Sequence, residues 1–122
     1  MTVAFWCVLV ASLMPIVCTG IAKARSGGFD NHDPRGSLAR LHGVAARANA
    51  AQQNCWEALA VFGAGVFVAH IANAPQSAVD GLAMAFILVR VVYIACYLAD
   101  LATLRSIVWL TGFLLSLSFY FL

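Results

Sequence analysis

Long apolar stretches alternate with polar ones along the chain. Residues 1–22 carry no charge, and three further apolar stretches follow at 50–72, 77–99 and 104–122. A helix of about 20 apolar residues is long enough to cross the hydrocarbon core of a bilayer. The pattern therefore predicts an all-α membrane protein of one domain, with a bundle of four transmembrane helices at about 3–22, 50–72, 77–99 and 104–122.

A polar stretch at 23–49 separates the first two spans. Ser26-Gly27-Gly28 is expected to end the first helix, and Asp33-Pro34 is typical of a helix cap followed by the first helical residue. No further proline occurs before Pro75. We therefore predict one helix over 34–72, so that 23–49 forms a long connector and a helical extension outside the membrane.

Composition supports the membrane class. Hydrophobic residues make up 63% of the chain, charged residues 10%, and the mean hydropathy is +0.90, whereas a soluble domain carries about 25% charged residues. The net charge of +2, without a basic strip interleaved with aromatics, excludes a nucleic-acid binder. The four cysteines lack metal-ligand spacing and are interpreted as small buried residues.

The cations are concentrated in one place. The chain has seven Lys and Arg residues, and the connector holds five of them, namely Lys23, Arg25, Arg35, Arg40 and Arg47. Because cytoplasmic loops of membrane proteins carry an excess of Lys and Arg, the connector is expected in the cytoplasm. Both chain termini then face the periplasm, or the equivalent outer side.

Antiparallel helices bring the remaining polar residues to the same membrane level. Arg90, Tyr93 and Tyr97 lie on one face of the third span, and Arg105 opens the fourth. A buried arginine needs a partner, and we expect Arg90 to pair with Glu57, within a subunit or across an interface. Each of these residues also has a purely structural interpretation, as an ion pair, a packing aromatic or a headgroup anchor.

The order of these residues resembles the MAPEG family, the membrane-associated proteins in eicosanoid and glutathione metabolism. The second span carries Asn54-x-x-Glu57 with Arg47 seven residues before Asn54. The third span carries Arg90-x-x-Tyr93-x-x-x-Tyr97, and Arg105-Ser106 begins the fourth. The Asp33-Pro34-Arg35 sequence is similar to that of bacterial members, so the resemblance implies an integral protein of a bacterial inner membrane.

The resemblance implies a homotrimer that binds glutathione at the cytoplasmic side, between subunits. As co-substrate, glutathione would react with a lipophilic small molecule or lipid, in a transferase or peroxidase reaction that needs no metal. The implied catalytic residues are Arg105, which stabilises the glutathione thiolate, and Tyr97, which donates a hydrogen bond to it. The implied glutathione-binding residues are Arg47, Asn54, Glu57, Arg90, Tyr93, Ser106 and, as a looser match, Arg25.

Two other functions are weighed against this one. Many eukaryotic members carry a second arginine four residues before the asparagine, whereas Ala50 stands there in this chain. A non-catalytic lipid-binding or scaffold member of the same fold is therefore an alternative. A small four-span multidrug exporter would need an acidic residue in the first span for proton coupling, and that span contains none.

Overall fold

The computed structural model describes all 122 residues as helices joined by short connections. The helices are α1 (Val3–Ala24), α2 (Pro34–Ala39), α3 (Gly43–Ile71), α4 (Gln76–Leu98) and α5 (Ala102–Ser118), and a 3-10 turn at Phe119–Phe121 ends the chain. Four of them, α1, α3, α4 and α5 with its final turn, are long and apolar enough to cross a membrane. The predicted all-α, four-helix membrane fold is confirmed.

Two tight turns reverse the chain after α3 and α4. Asn73 and Asp100 take left-handed φ angles of 57° and 60°, which asparagine and aspartate tolerate better than most residues. After α4, the Leu101 N–H donates to the Cys96 carbonyl at 2.9 Å and the Asp100 N–H donates to the Tyr97 carbonyl at 3.2 Å. These are the bonds of a Schellman motif, and they place α5 directly beside the end of α4.

The prediction of one helix over 34–72 is wrong, because the chain breaks between α2 and α3. His42 is extended, with φ −145° and ψ 168°, and Gly43 has a φ of +61°. The buried Ser37 hydroxyl donates to the Asp30 carbonyl at 3.3 Å and accepts from the Asp30 N–H at 3.1 Å. These bonds hold α2 against the connector, while Gly43 supplies the backbone freedom that the break requires. The Asp33 cap on α2 is present.

Small residues allow α1 and α3 to approach closely. The buried positions of α1 are small or compact residues on one face, namely Ala4, Cys7, Ala11, Pro15, Cys18 and Ala22. On α3 they are matched near the connector by Ala45, Ala48, Ala51 and Cys55. Such stripes replace the hydrophobic effect as a source of helix association in lipid, because they permit close van der Waals contact.

A phenylalanine cluster fills the bundle farther from the connector. Phe62 of α3 stacks on Phe86 of α4, with ring centroids 4.0 Å apart, and meets Phe119 edge-on at 5.7 Å. All three side chains are buried. Outside this core, large apolar side chains such as Leu13, Ile16 and Leu88 are more than half exposed, as expected for helices whose outer surface contacts lipid rather than water.

Candidate functional site

The turn between α4 and α5 places Arg105 against Tyr97. Arg105 lies in the first turn of α5, and its guanidinium carbon is 4.4 Å from the centroid of the Tyr97 ring. A cation over an aromatic face is attracted by about 0.5–2 kcal/mol, more as water is removed. The two side chains predicted to be catalytic are therefore in direct contact.

A second arginine contacts a second tyrosine on the same face of α4. Tyr93 and Tyr97 are one turn apart, and their rings meet nearly perpendicular, at 83° with centroids 5.7 Å apart. The Arg90 guanidinium lies over the other ring, 4.1 Å from the Tyr93 centroid. Two cations and two rings thus form one continuous row from α4 to α5.

The row continues to α3 through hydrogen bonds of Arg90. Its Nη1 donates to the Asn54 side-chain oxygen at 3.0 Å, and the Asn54 amide nitrogen donates to a Glu57 carboxylate oxygen at 3.2 Å. We call the connected set the Arg90 network, and its members in order are Glu57, Asn54, Arg90, Tyr93, Tyr97 and Arg105. Three helices are therefore joined by one chain of polar and aromatic contacts.

The expected Arg90–Glu57 ion pair is not formed within the chain. Asn54 precedes Glu57 by one turn of α3 and lies between the two charges, so that its amide satisfies both. The one ion pair of the chain joins the exposed Arg40 and Asp33 at 3.8 Å, a type of pair that is worth little. The positive charge of Arg90, which is only 3% exposed, is therefore left without a carboxylate in contact.

Arg47 lies beside the network rather than in it. Its Nε and Nη2 both donate to the Leu98 carbonyl, each at 3.3 Å. Leu98 ends α4 and follows Tyr97, so the arginine binds the carbonyl-rich end of the helix that carries the tyrosines. Arg47 holds α3 and α4 together at the level of the site.

Besides Arg47, two further predicted site residues lie outside the network. Ser106 is exposed, and its hydroxyl donates to the Ala102 carbonyl of its own helix at 3.2 Å. Arg25 is exposed at the C-terminal end of α1, with no side-chain hydrogen bond to the other site residues. Within one chain, neither side chain forms a hydrogen bond with Arg90, Tyr97 or Arg105.

A cleft of about 130 Å³ opens between α3, α4 and α5 beside the network. Asn54, Glu57 and Arg90 form its polar wall, and Trp109 and Phe113 form part of its apolar wall, with their rings parallel and 5.5 Å apart. Ligand pockets usually measure about 300–1,000 Å³. The cleft of one chain can therefore hold a polar group next to a short apolar group, but it is too small for a whole tripeptide.

Sequence reasoning missed Cys55 and the aromatic wall of the cleft. Arg90 Nη2 donates to the Cys55 sulfur at 3.3 Å, so this cysteine takes the place expected for a carboxylate. The available signal was that Cys55 continues the stripe of Ala48 and Ala51 and so had to face the bundle interior. No group of three or more His, Cys, Asp or Glu side chains is arranged to hold a metal ion.

Comparison with known proteins gives one match. A family model described as the MAPEG family matches residues 3–122, essentially the whole chain, including every member of the Arg90 network. Neither the curated proteins nor the solved structures give a significant match. Membership of the family is therefore supported by the family model together with the fold and the site geometry.

Proposed function

The chain belongs to the MAPEG family, and on that premise we propose that it is a glutathione-dependent transferase or peroxidase for lipophilic electrophiles or lipid hydroperoxides. The observation that carries the proposal is the contact of Arg105 with Tyr97 at the end of the Arg90 network. This arrangement gathers cations and hydroxyl donors from α4 and α5 at one point of the bundle. An anion formed there would be held by groups that are already in place.

Glutathione suits this charge pattern. It carries two carboxylates, which arginine recognises through paired N–H donors, and an ammonium group, which a carboxylate attracts. Arg90 has no carboxylate in contact, and Glu57 is exposed along the cleft. In the proposal Glu57 and Asn54 bind the ammonium end of glutathione, while Arg90, Arg47 and Tyr93 serve its carboxylates and backbone.

The chemical step uses the sulfur of glutathione. A thiol is a weak nucleophile until it loses its proton, and a nearby guanidinium favours the thiolate. In the proposed mechanism Arg105 stabilises this thiolate and the Tyr97 hydroxyl donates a hydrogen bond to it. The thiolate then displaces the leaving group from the carbon of an electrophile, or attacks the terminal oxygen of a hydroperoxide, so that the O–O bond breaks and an alcohol leaves. In the hydroperoxide reaction a second glutathione reduces the resulting sulfenic acid, which gives glutathione disulfide and water. The apolar wall of Trp109 and Phe113 receives the lipophilic part.

A homotrimer would complete this site. The cleft of one chain is small for a tripeptide, and Arg25 and Ser106, which the resemblance places at the site, form no hydrogen bond with the Arg90 network of their own chain. A neighbouring subunit is proposed to supply the missing wall. By the positive-inside rule the site faces the cytoplasm, where glutathione enters from water and the second substrate enters from the bilayer.

The test is a thiolate difference spectrum upon adding glutathione to detergent-purified protein, followed by turnover with electrophile and hydroperoxide panels. For Arg105→Ala we expect the thiolate band to disappear and turnover to fall by about 100- to 1,000-fold, the usual effect of removing one stabilising donor. Arg35→Ala, on the exposed surface of α2, is the matched control and should behave like the wild type.

A thiolate band that persists in Arg105→Ala would assign thiolate stabilisation to another cation. No turnover with either panel, despite glutathione binding, would contradict the enzymatic proposal.

A second candidate, a non-catalytic lipid-binding or scaffold member, is favoured by Ala50. This residue stands where many family members carry an arginine, so one contact to a glutathione carboxylate is missing. Calorimetry separates the two candidates. A scaffold should release no heat of binding with glutathione, whereas the enzyme should bind it and lose affinity in Arg90→Met.

A further inference from the structure

Two cysteines lie side by side behind the cleft, where α1 packs against α3. Cys18 is fully buried and Cys55 is 3% exposed, and together with Ala51 they form a small buried cluster. Met14, Ile94 and Tyr97 pack around this cluster. The facing residues are alanine and cysteine, whose small side chains permit the close backbone approach that a disulfide between neighbouring helices requires.

The environment of Cys55 differs from that of the other buried cysteines. Arg90 donates to its sulfur at 3.3 Å, and no carboxylate is in contact with that guanidinium. A cation beside a sulfur favours the anionic, nucleophilic form of the thiol. Cys7 and Cys96 are also buried, but neither sulfur receives a hydrogen bond from a cation.

We propose that Cys18 and Cys55 form a redox-active dithiol within the membrane, in which a lipid-soluble hydroperoxide oxidises Cys55 and Cys18 resolves the product to a disulfide. Nothing in the proposed glutathione chemistry uses these side chains. A reactive thiol next to a resolving thiol is the arrangement found in reversible redox sites. The contact of Arg90 with Cys55, together with the adjacent Cys18, carries the inference.

The reaction balances as follows. The Cys55 sulfur attacks the terminal oxygen of the hydroperoxide, the O–O bond breaks, and the leaving alkoxide takes the thiol proton to become an alcohol. The resulting Cys55 sulfenic acid is attacked by the Cys18 sulfur, which forms the S–S bond and releases water. The two thiols have then lost two electrons to the hydroperoxide, and two molecules of a small thiol return them by thiol–disulfide exchange.

Oxidation of the two cysteines would change the interactions of Arg90 in its network. A disulfide sulfur cannot become an anion, so Arg90 would lose the one partner able to offset its charge while keeping its bond to Asn54. The S–S bond would also fix α1 to α3 directly behind Tyr97, which packs on the cluster. The dithiol is thus placed to change the cleft when hydroperoxide accumulates in the membrane.

The first experiment uses the wild-type chain in lipid nanodiscs without glutathione, so that its outcome is independent of the proposed function. The protein is exposed to cumene hydroperoxide, denatured, alkylated and mapped by mass spectrometry. We expect Cys18 and Cys55 to lose alkylation together, to appear as one linked peptide, and to regain alkylation after dithiothreitol. Cys7 and Cys96 serve as internal controls and should stay alkylated.

Two variants sharpen the result. In Cys18→Ala we expect no linked peptide and a sulfenic acid on Cys55 that dimedone traps, whereas Cys96→Ala should keep the Cys18–Cys55 link. Full alkylation of Cys55 after hydroperoxide in the wild type would overturn the proposal. Equal oxidation of all four cysteines would also overturn it, because it would show general access rather than a specific pair.

Discussion

Each end of the bundle carries a cluster of polar side chains, but the charged groups of the two clusters have different partners. At the end away from the connector, one Asp80 carboxylate oxygen accepts from the Ala4 N–H and from the Gln76 side chain, each at 2.8 Å. At the connector end, Arg90 donates to an amide and a thiol, and Arg105 lies over a tyrosine ring. The first cluster is satisfied by its own chain, whereas the second keeps a net positive charge.

Under the proposed function, this difference separates a structural polar site from a ligand-binding site. The Asp80 carboxylate caps the first turn of α1 and thereby satisfies a backbone donor that the helix leaves unpaired. A buried cation without an anion, in contrast, costs stability, and Arg90 at the connector end is one, with the half-buried Arg105 near it. Such a destabilising arrangement is expected where a bound ligand supplies the missing negative charge.

The largest stability effect is expected from the apolar core between the two ends. Phe62→Ala removes a ring that stacks on Phe86 and contacts Phe119, and such a deletion costs about 3–5 kcal/mol. We expect this loss in the free energy of unfolding measured in mixed micelles, with the affinity for glutathione retained in the protein that stays folded.

Phe67→Ala is the matched control on the same helix, because Phe67 is 57% exposed. It should change the unfolding free energy by less than about 0.5 kcal/mol. Equal effects of the two variants would mean that the Phe62 cluster is not the stabilising core.

The next largest loss of stability is expected from the polar cluster around Asp80. Asp80→Ala leaves the Ala4 N–H and the Gln76 amide without their acceptor, and we expect a loss of about 1–3 kcal/mol. Ser77→Ala, on the same exposed turn of α4, is the control. If Asp80→Ala lowered glutathione affinity without lowering stability, the distinction between the two ends would fail.

The sequence was sufficient for the fold because lipid imposes simple rules. Apolar length identified the four spanning helices, and the residues of helical spacing on α4 and the start of α5 came together as predicted. Asp33-Pro34 marked a helix start because a side-chain acceptor followed by proline leaves few other conformations. Local chemistry of this kind does not depend on distant contacts.

The sequence predictions were wrong where contacts between different segments of the chain determine the structure. Ser37 binds Asp30 seven residues away and holds α2 against the connector. The expected long helix is broken at His42 and Gly43, which helix propensity alone did not reveal.

Arg90 was predicted to pair with Glu57, but the amide of Asn54 and the thiol of Cys55 accept its hydrogen bonds instead. The sequence of an apolar stretch does not show which side chains a cysteine contacts, because those contacts form only when two helices pack together.

The smallest loss of stability is expected from Glu57→Gln, and this variant tests the binding role of the connector end most directly. Because Glu57 is exposed and meets Arg90 only through Asn54, Glu57→Gln keeps a side-chain oxygen for the Asn54 amide. We expect a loss of less than about 1 kcal/mol of unfolding free energy. Glutathione affinity should nevertheless fall about tenfold or more, since a hydrogen bond to a charged group is worth about 1.5–3 kcal/mol.

Glu57→Ala, which also removes the acceptor for Asn54, should lose more stability than Glu57→Gln and at least as much affinity. Calorimetry with glutathione and unfolding in mixed micelles measure the two quantities separately. A stability loss in Glu57→Gln as large as that in Phe62→Ala would show that Glu57 is the direct counter-charge of an arginine in the assembled protein. The charge of the arginine would then be neutralised by the protein itself, and its positive charge could not be what binds glutathione.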